Sequence, residues 1–173
     1  DHTYYKKVVA AIAEQGLQEH IKILGLVPHT RLLKLMRRAS IFIFPSLLEA
    51  CPHTLIEAMA CGVTVAASRV SPMPEICVDA AAYFDPEEPR DIAQKIEQLL
   101  TNLPLVQSMQ SRGLARAQFF TWEKTAQGLL RILDATVRGR AIVSRPIKIA
   151  FNALSAQVGG GVLGLPAGLA GVG

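Results

Sequence analysis

Two carboxylates, Glu49 and Glu57, stand eight positions apart across Glu49-Ala-Cys-Pro-His-Thr-Leu-Ile-Glu57, directly after the apolar run Ile41-Phe-Ile-Phe-Pro45. The run has the character of a short buried parallel strand, and Ser46 to Cys51 leave it as a loop. Glu49 then belongs to the loop, and Glu57 to the first turns of the helix that follows. In an open α/β sheet, ligands bind beyond the carboxyl ends of the strands, where helix N-termini present free N–H groups. Acidic side chains in that crevice suit the hydroxyls of a sugar, because an ionised carboxylate only accepts hydrogen bonds.

The elements that must position this pair alternate along the chain. Thr3 to Gln15 is expected as a helix with Tyr4, Val8, Val9, Ile12 and Ala13 on one face, stopped by Gly16. A strand at Ile21 to Leu26, a helix capped by Thr30 and running to Ala39, and the strand Ile41 to Phe44 follow. The helix from Thr54 to Cys61 ends at Gly62, where a left-handed residue is accommodated, and Val63 to Ala66 forms another strand. A short helix around Glu75, a strand at Ala81 to Phe84, and a helix with Asp91 in its first turn continue the series. Asn102 to Phe119 and Thr121 to Thr136 are expected as two closing helices, with Trp122 as a core anchor. This alternation implies βαβ units, a parallel sheet and the α/β class.

Composition narrows the partners. Half of the 173 residues are apolar, enough for one sizeable core. The formal charge of +4 is scattered in pairs such as Lys6-Lys7 and Arg37-Arg38, without an aromatic-interleaved basic stripe, so nucleic acid is not an expected partner. Nucleotide diphosphates or an anionic membrane surface fit the modest excess. Cys51, Cys61 and Cys77 lack a C-x-x-C spacing, and His2, His20, His29 and His53 form no ligand cluster, so no metal and a reduced cytoplasmic compartment are expected. A secretory leader is not expected, and peripheral attachment to the cytoplasmic face of a membrane stays open.

Pro45-Ser46, Glu49, Glu57-Ala-Met-Ala-Cys-Gly62 and Val63-Thr-Val65 resemble the E-x7-E signature of the family 4 (group 1) retaining glycosyltransferases, in their nucleotide-sugar-binding domain. Ile23-Leu-Gly25-Leu-Val27, Leu32 to Ser40, Ala67-Ser68, Met73-Pro-Glu75, Asp79-Ala-Ala81, Tyr83-Phe-Asp-Pro86 and Phe120-Thr-Trp-Glu123 agree with it in order, so the resemblance spans Asp1 to Asp134. It implies a Rossmann-like parallel sheet, the C-terminal half of a GT-B glycosyltransferase fold. Its first strand, with the phosphate-binding Arg and Lys, and the N-terminal glycosyltransferase domain are expected to be missing. By the same resemblance, Glu57 takes the ribose diol and Glu49 the transferred sugar. The backbone N–H groups of His53, Thr54 and Leu55 face the pyrophosphate, Ala50 and Cys51 belong to the same donor-binding loop, and Leu26 and Val27 line the base. Ala50-Cys51-Pro52 departs from the Gly-Phe-Gly of many relatives, and Pro52 has no N–H to offer.

The expected activity is transfer of a hexose from a nucleotide diphosphate sugar to a hydroxyl of a glycan or lipid-linked acceptor, as in polysaccharide biosynthesis, with no cofactor. A non-catalytic nucleotide-sugar-binding remnant, and a sugar epimerase or phosphorylase on the same fold, remain open alternatives. Residues 1–137 are expected to form a partial donor-binding domain. Residues 138–173 are a basic linker and a Gly/Ala-rich tail without charge from Ile149 onward. Ile147-Lys-Ile-Ala-Phe-Asn-Ala153 and Gly159-Gly-Gly161 resemble the start of a second glycosyltransferase N-terminal domain. A membrane segment, disfavoured by seven glycines and Pro166, and a disordered tail are the other readings.

Overall fold

The computed structural model describes residues 2–138, in two units that divide between Leu32 and Leu33. The expectations for the tail and for its division from residues 1–137 lie outside the described residues.

The first unit carries helix α1 (His2–Glu14). Its end is set by Gly16 at φ +68°, which lets the Gly16 amide reach Ala13 O and the Leu17 amide reach Ile12 O, the paired bonds of a Schellman cap. The strand expected at Ile21 to Leu26 does not form. A parallel strand exists only through its ladder, and this segment has no neighbouring strand among the described residues, so its backbone stays irregular and Gly25 turns at φ +61°. Helix α2 (His29–Arg38) begins one residue before the expected cap. The Pro28 carbonyl receives the Arg31 and Leu32 amides, and Thr30 lies inside the first turn and is not its cap.

The second unit is built on strands β1 (Ile41–Phe44), β2 (Thr64–Ser68) and β3 (Ala81–Phe84) in the order β1-β2-β3, all parallel. Ile41 pairs with Thr64 and Phe44 with Ala67, while Val65 pairs with Ala81 and Ser68 with Phe84. Every residue of β2 is buried, as the apolar, β-branched and small sequence Thr-Val-Ala-Ala-Ser requires of a central strand. Helices α3 (His53–Ala60), α4 (Met73–Cys77), α5 (Pro89–Thr101), α6 (Leu103–Ala117) and α7 (Trp122–Val137) alternate with or follow the strands. Ala66 and Phe84 of the sheet, Leu99 of α5 and Met109 of α6 form one core cluster.

Local chemistry marks the helix ends. Gly62, at φ +74°, completes a second Schellman cap on α3, with Gly62 N–H on Met59 O and Val63 N–H on Ala58 O. Asn102 accepts the Leu105 amide to start α6, and Thr121 accepts the Lys124 amide to start α7. Arg116 of α6 donates to Ile76 O and Glu75 O at 2.8 and 2.9 Å, closing the C-terminal carbonyls of α4, while its guanidinium lies over the Phe119 and Phe120 rings. Trp122 is half-buried and no residue of α7 is buried, which corrects its reading as a core anchor. The stripe of Leu130, Leu133 and Val137 on α7 faces solvent.

Two positions conflict with their neighbours. Val78 sits at φ +52°, ψ −108°, where a β-branched side chain crowds its own backbone, and it is 52% exposed, so little burial compensates. Val78→Gly is expected to stabilise the protein by about 1 kcal/mol, strain relief outweighing the extra freedom of the unfolded chain. Thermal unfolding followed by circular dichroism checks it, and an unchanged or lower midpoint contradicts the strain argument. Thr64 is wholly buried and its Oγ1 finds no hydrogen-bond partner among the described residues. Thr64→Val keeps the shape and removes the orphaned hydroxyl, so urea unfolding should show a gain on the order of 1 kcal/mol with an unchanged slope.

Candidate functional site

Because the three strands run the same way, the loops after Phe44, Ser68 and Phe84 all leave one edge of the sheet. That edge is tied laterally. Ser68, fully buried at the end of β2, donates from Oγ to Phe44 O at 3.1 Å, and the Arg69 amide donates to Phe84 O at 2.8 Å. Arg69 also reaches across to Tyr83 O through its guanidinium.

The loop after β1 carries the first carboxylate. Glu49 is half-buried, and its Oε1 accepts a 2.8 Å hydrogen bond from Ser46 Oγ, which also stands 3.2 Å from Leu48 O. Leu47 and Leu48 point outward, 59% and 84% exposed, and Ala50 is exposed beside them. Cys51 is half-buried and Pro52 buried at the entry to α3.

Helix α3 carries the second. Its N-cap is Pro52, at φ −75°, ψ 84°, whose ring has no acceptor to cap the helix. Of the three amides expected to meet a pyrophosphate, those of His53 and Leu55 are turned onto Cys51 O and Pro52 O, at 2.9 and 3.0 Å, and Thr54 sits between them in the first turn. His53 is half-buried, and its Nε2 lies out of solvent with no hydrogen-bond partner among the described residues. Glu57 follows in the second turn and is 4% exposed, on a helix where Leu55, Ile56, Ala58 and Met59 are also buried. A carboxylate fixed in such a low-dielectric setting makes strong, geometrically defined bonds to hydroxyl donors.

The structure therefore brings Ala50, Cys51, His53, Thr54 and Leu55 together with both glutamates around the β1–α3 junction. Leu26 and Val27 belong to the first unit, in its irregular segment, where Leu26 is wholly exposed and Val27 half-buried. Sequence reasoning gave Ser46 no role, although a serine three residues before a loop carboxylate is a recognisable hydrogen-bonding signal.

Cys61 and Cys77 are poor nucleophiles. Burial pushes the Cys77 thiol up to about 12 in spite of Arg116, and burial also raises that of Cys61 against the pull of Arg37. Among the described residues, no group of three His, Cys, Asp or Glu side chains is placed to hold a metal ion, and no helix is long and apolar enough to cross a membrane.

The sequence and the fold are similar to those of known proteins. An O-antigen chain mannosyltransferase B from Escherichia coli is 37% identical over 117 residues, covering 67% of this chain and 31% of that protein. A D-inositol 3-phosphate glycosyltransferase from Segniliparus rotundus is 31% identical over 137 residues, 78% of this chain and 30% of its own length. The chain thus spans about a third of the length of these relatives. Among solved structures, a sucrose-phosphate synthase (tll1590) from Thermosynechococcus elongatus superposes with a TM-score of 0.68 at 24% identity, over 78% of this chain and 35% of that one, so the fold is that of part of a GT-B enzyme. The sequence pattern of the glycosyl transferases group 1 matches residues 1–116, and the chain belongs to that family.

Proposed function

We propose that the β1–α3 junction is the donor site of a retaining, family 4 glycosyltransferase, which moves a hexose from a nucleotide diphosphate sugar to a hydroxyl acceptor on a glycan or lipid-linked precursor. The observation that carries the reading is Glu57, 4% exposed yet one turn inside a helix that starts at the carboxyl edge of a parallel sheet. Its carboxylate takes the ribose diol in bidentate fashion. Glu49, in the loop before it, holds the transferred sugar and supports the positive charge that develops at its anomeric carbon. The Thr54 amide and the α3 dipole face the pyrophosphate, and the unpartnered Nε2 of His53 offers a further polar contact there. Ala50 and Cys51 supply backbone at the same turn, and His53 and Leu55 reorient their amides on binding. No cofactor beyond the donor is invoked.

In the transfer, the bond from the anomeric carbon to the diphosphate breaks and a bond to the acceptor oxygen forms, with retained configuration. The acceptor proton leaves with the departing diphosphate. The O-antigen chain mannosyltransferase among the relatives supports mannose as the sugar and a polysaccharide as the acceptor. The rest of a complete enzyme, including the acceptor-holding domain, is proposed to lie beyond the residues described. The enzyme is placed in the cytoplasm, at the inner face of the membrane when its acceptor is lipid-linked.

Calorimetric titration with nucleotide diphosphates of mannose, glucose and N-acetylglucosamine on each of three bases tests the site. One base should bind, and Glu57→Ala should weaken it at least tenfold, the loss of about 1.5–3 kcal/mol expected for hydrogen bonds to a charged group. Binding that is indifferent to Glu57→Ala sinks the donor-site reading. Product analysis after an acceptor-holding domain is supplied in trans separates transfer from epimerisation, phosphorolysis and binding without turnover.

A further inference from the structure

We infer that Ser46 is a positioning residue for the sugar-reading carboxylate, Glu49, an inference that rests on the donor-site reading above and adds to it a residue with no role assigned so far. Little else holds the loop. Leu47 and Leu48 are largely exposed, so no apolar burial orders the stretch between β1 and Glu49. What orders it is a short relay from the sheet. Ser68, fully buried on the central strand, grips the last carbonyl of β1 at Phe44. Pro45 then fixes its own φ, and Ser46 follows two residues beyond the strand.

The Ser46 hydroxyl has one proton and two acceptors within reach, Glu49 Oε1 at 2.8 Å and Leu48 O at 3.2 Å. An ionised carboxylate has no proton to give, so Ser46 is the donor, and the shorter, charge-assisted contact takes the proton. One oxygen of Glu49 is thereby fixed to the sheet edge. Its Oε2 makes no hydrogen bond among the described residues and is the oxygen presented to the donor. A carboxylate held at one oxygen and open at the other reads a sugar hydroxyl without first losing its own rotamer freedom.

This predicts a split that a merely structural serine would not produce. Glu57 acts on the nucleoside, Glu49 on the sugar, and Ser46 acts through Glu49 alone. Titrating the chain with the nucleotide diphosphate sugar that binds, and separately with its bare nucleoside diphosphate, reads the sugar's share of the affinity. Ser46→Ala should cost about tenfold for the sugar nucleotide and less than twofold for the bare diphosphate, while Ser46→Thr, which keeps the hydroxyl, should stay within about threefold. In a Glu49→Ala background, Ser46→Ala should have no further effect.

Equal losses for both ligands, no loss for either, or additive losses in the double variant overturn the inference. Should Ser46→Ala fail to fold, as judged by circular dichroism, Ser46→Cys takes its place in the cycle, with its weaker donor giving an intermediate loss. If Glu57→Ala leaves binding unchanged, the donor-site reading itself falls and this inference with it. If Glu57→Ala behaves as expected and the Ser46 split is missing, only the positioning role falls.

Discussion

The parallel ladder centred on β2 is the constraint from which the rest follows. Its backbone can be satisfied only with strands on both sides, and its wholly buried Thr-Val-Ala-Ala-Ser tolerates helices packed close on the sheet. Parallel pairing sends every connecting helix back to the start of the next strand. The loops at the carboxyl ends therefore collect on one side, and the two glutamates become neighbours of the same junction although one is in a loop and the other in a helix.

Small polar groups translate that frame into positions for side chains. Ser68 on Phe44, Ser46 on Glu49, Ser71 on Glu75 and Tyr83 on Val78 are all hydrogen bonds from a hydroxyl to a strand end, a loop or the short helix α4. Each removes a rotation, which is how a loop too exposed to pack can still present a carboxylate in a defined place.

Much of this was legible in the residues. β3 fell where Ala-Ala-Tyr-Phe placed it, and Gly62 ended α3 in the left-handed conformation its position demanded, because both signals are local. The strand at Ile21 to Leu26 failed for a non-local reason: the apolar pattern was present but no ladder partner was present among the described residues, and pattern alone cannot supply one. Trp122 misled in the same way, since a large aromatic is usually covered but α7 is only partly covered and Trp122 is half-buried. At the site, the glutamate spacing was visible. Which amides are already engaged, and that a serine holds Glu49, are matters of turn geometry that spacing does not encode.

The outer edge of β1 has a consequence for the life of the chain before it is folded. Ile-Phe-Ile-Phe is uncharged, aromatic and β-branched, the composition that stacks with copies of itself when unpaired. Arg37 and Arg38 stand just before it and Pro45 just after. The cations repel a second chain and the proline cannot donate to an added strand, so the residues that frame the β1–α3 loop also act as gatekeepers against aggregation during synthesis.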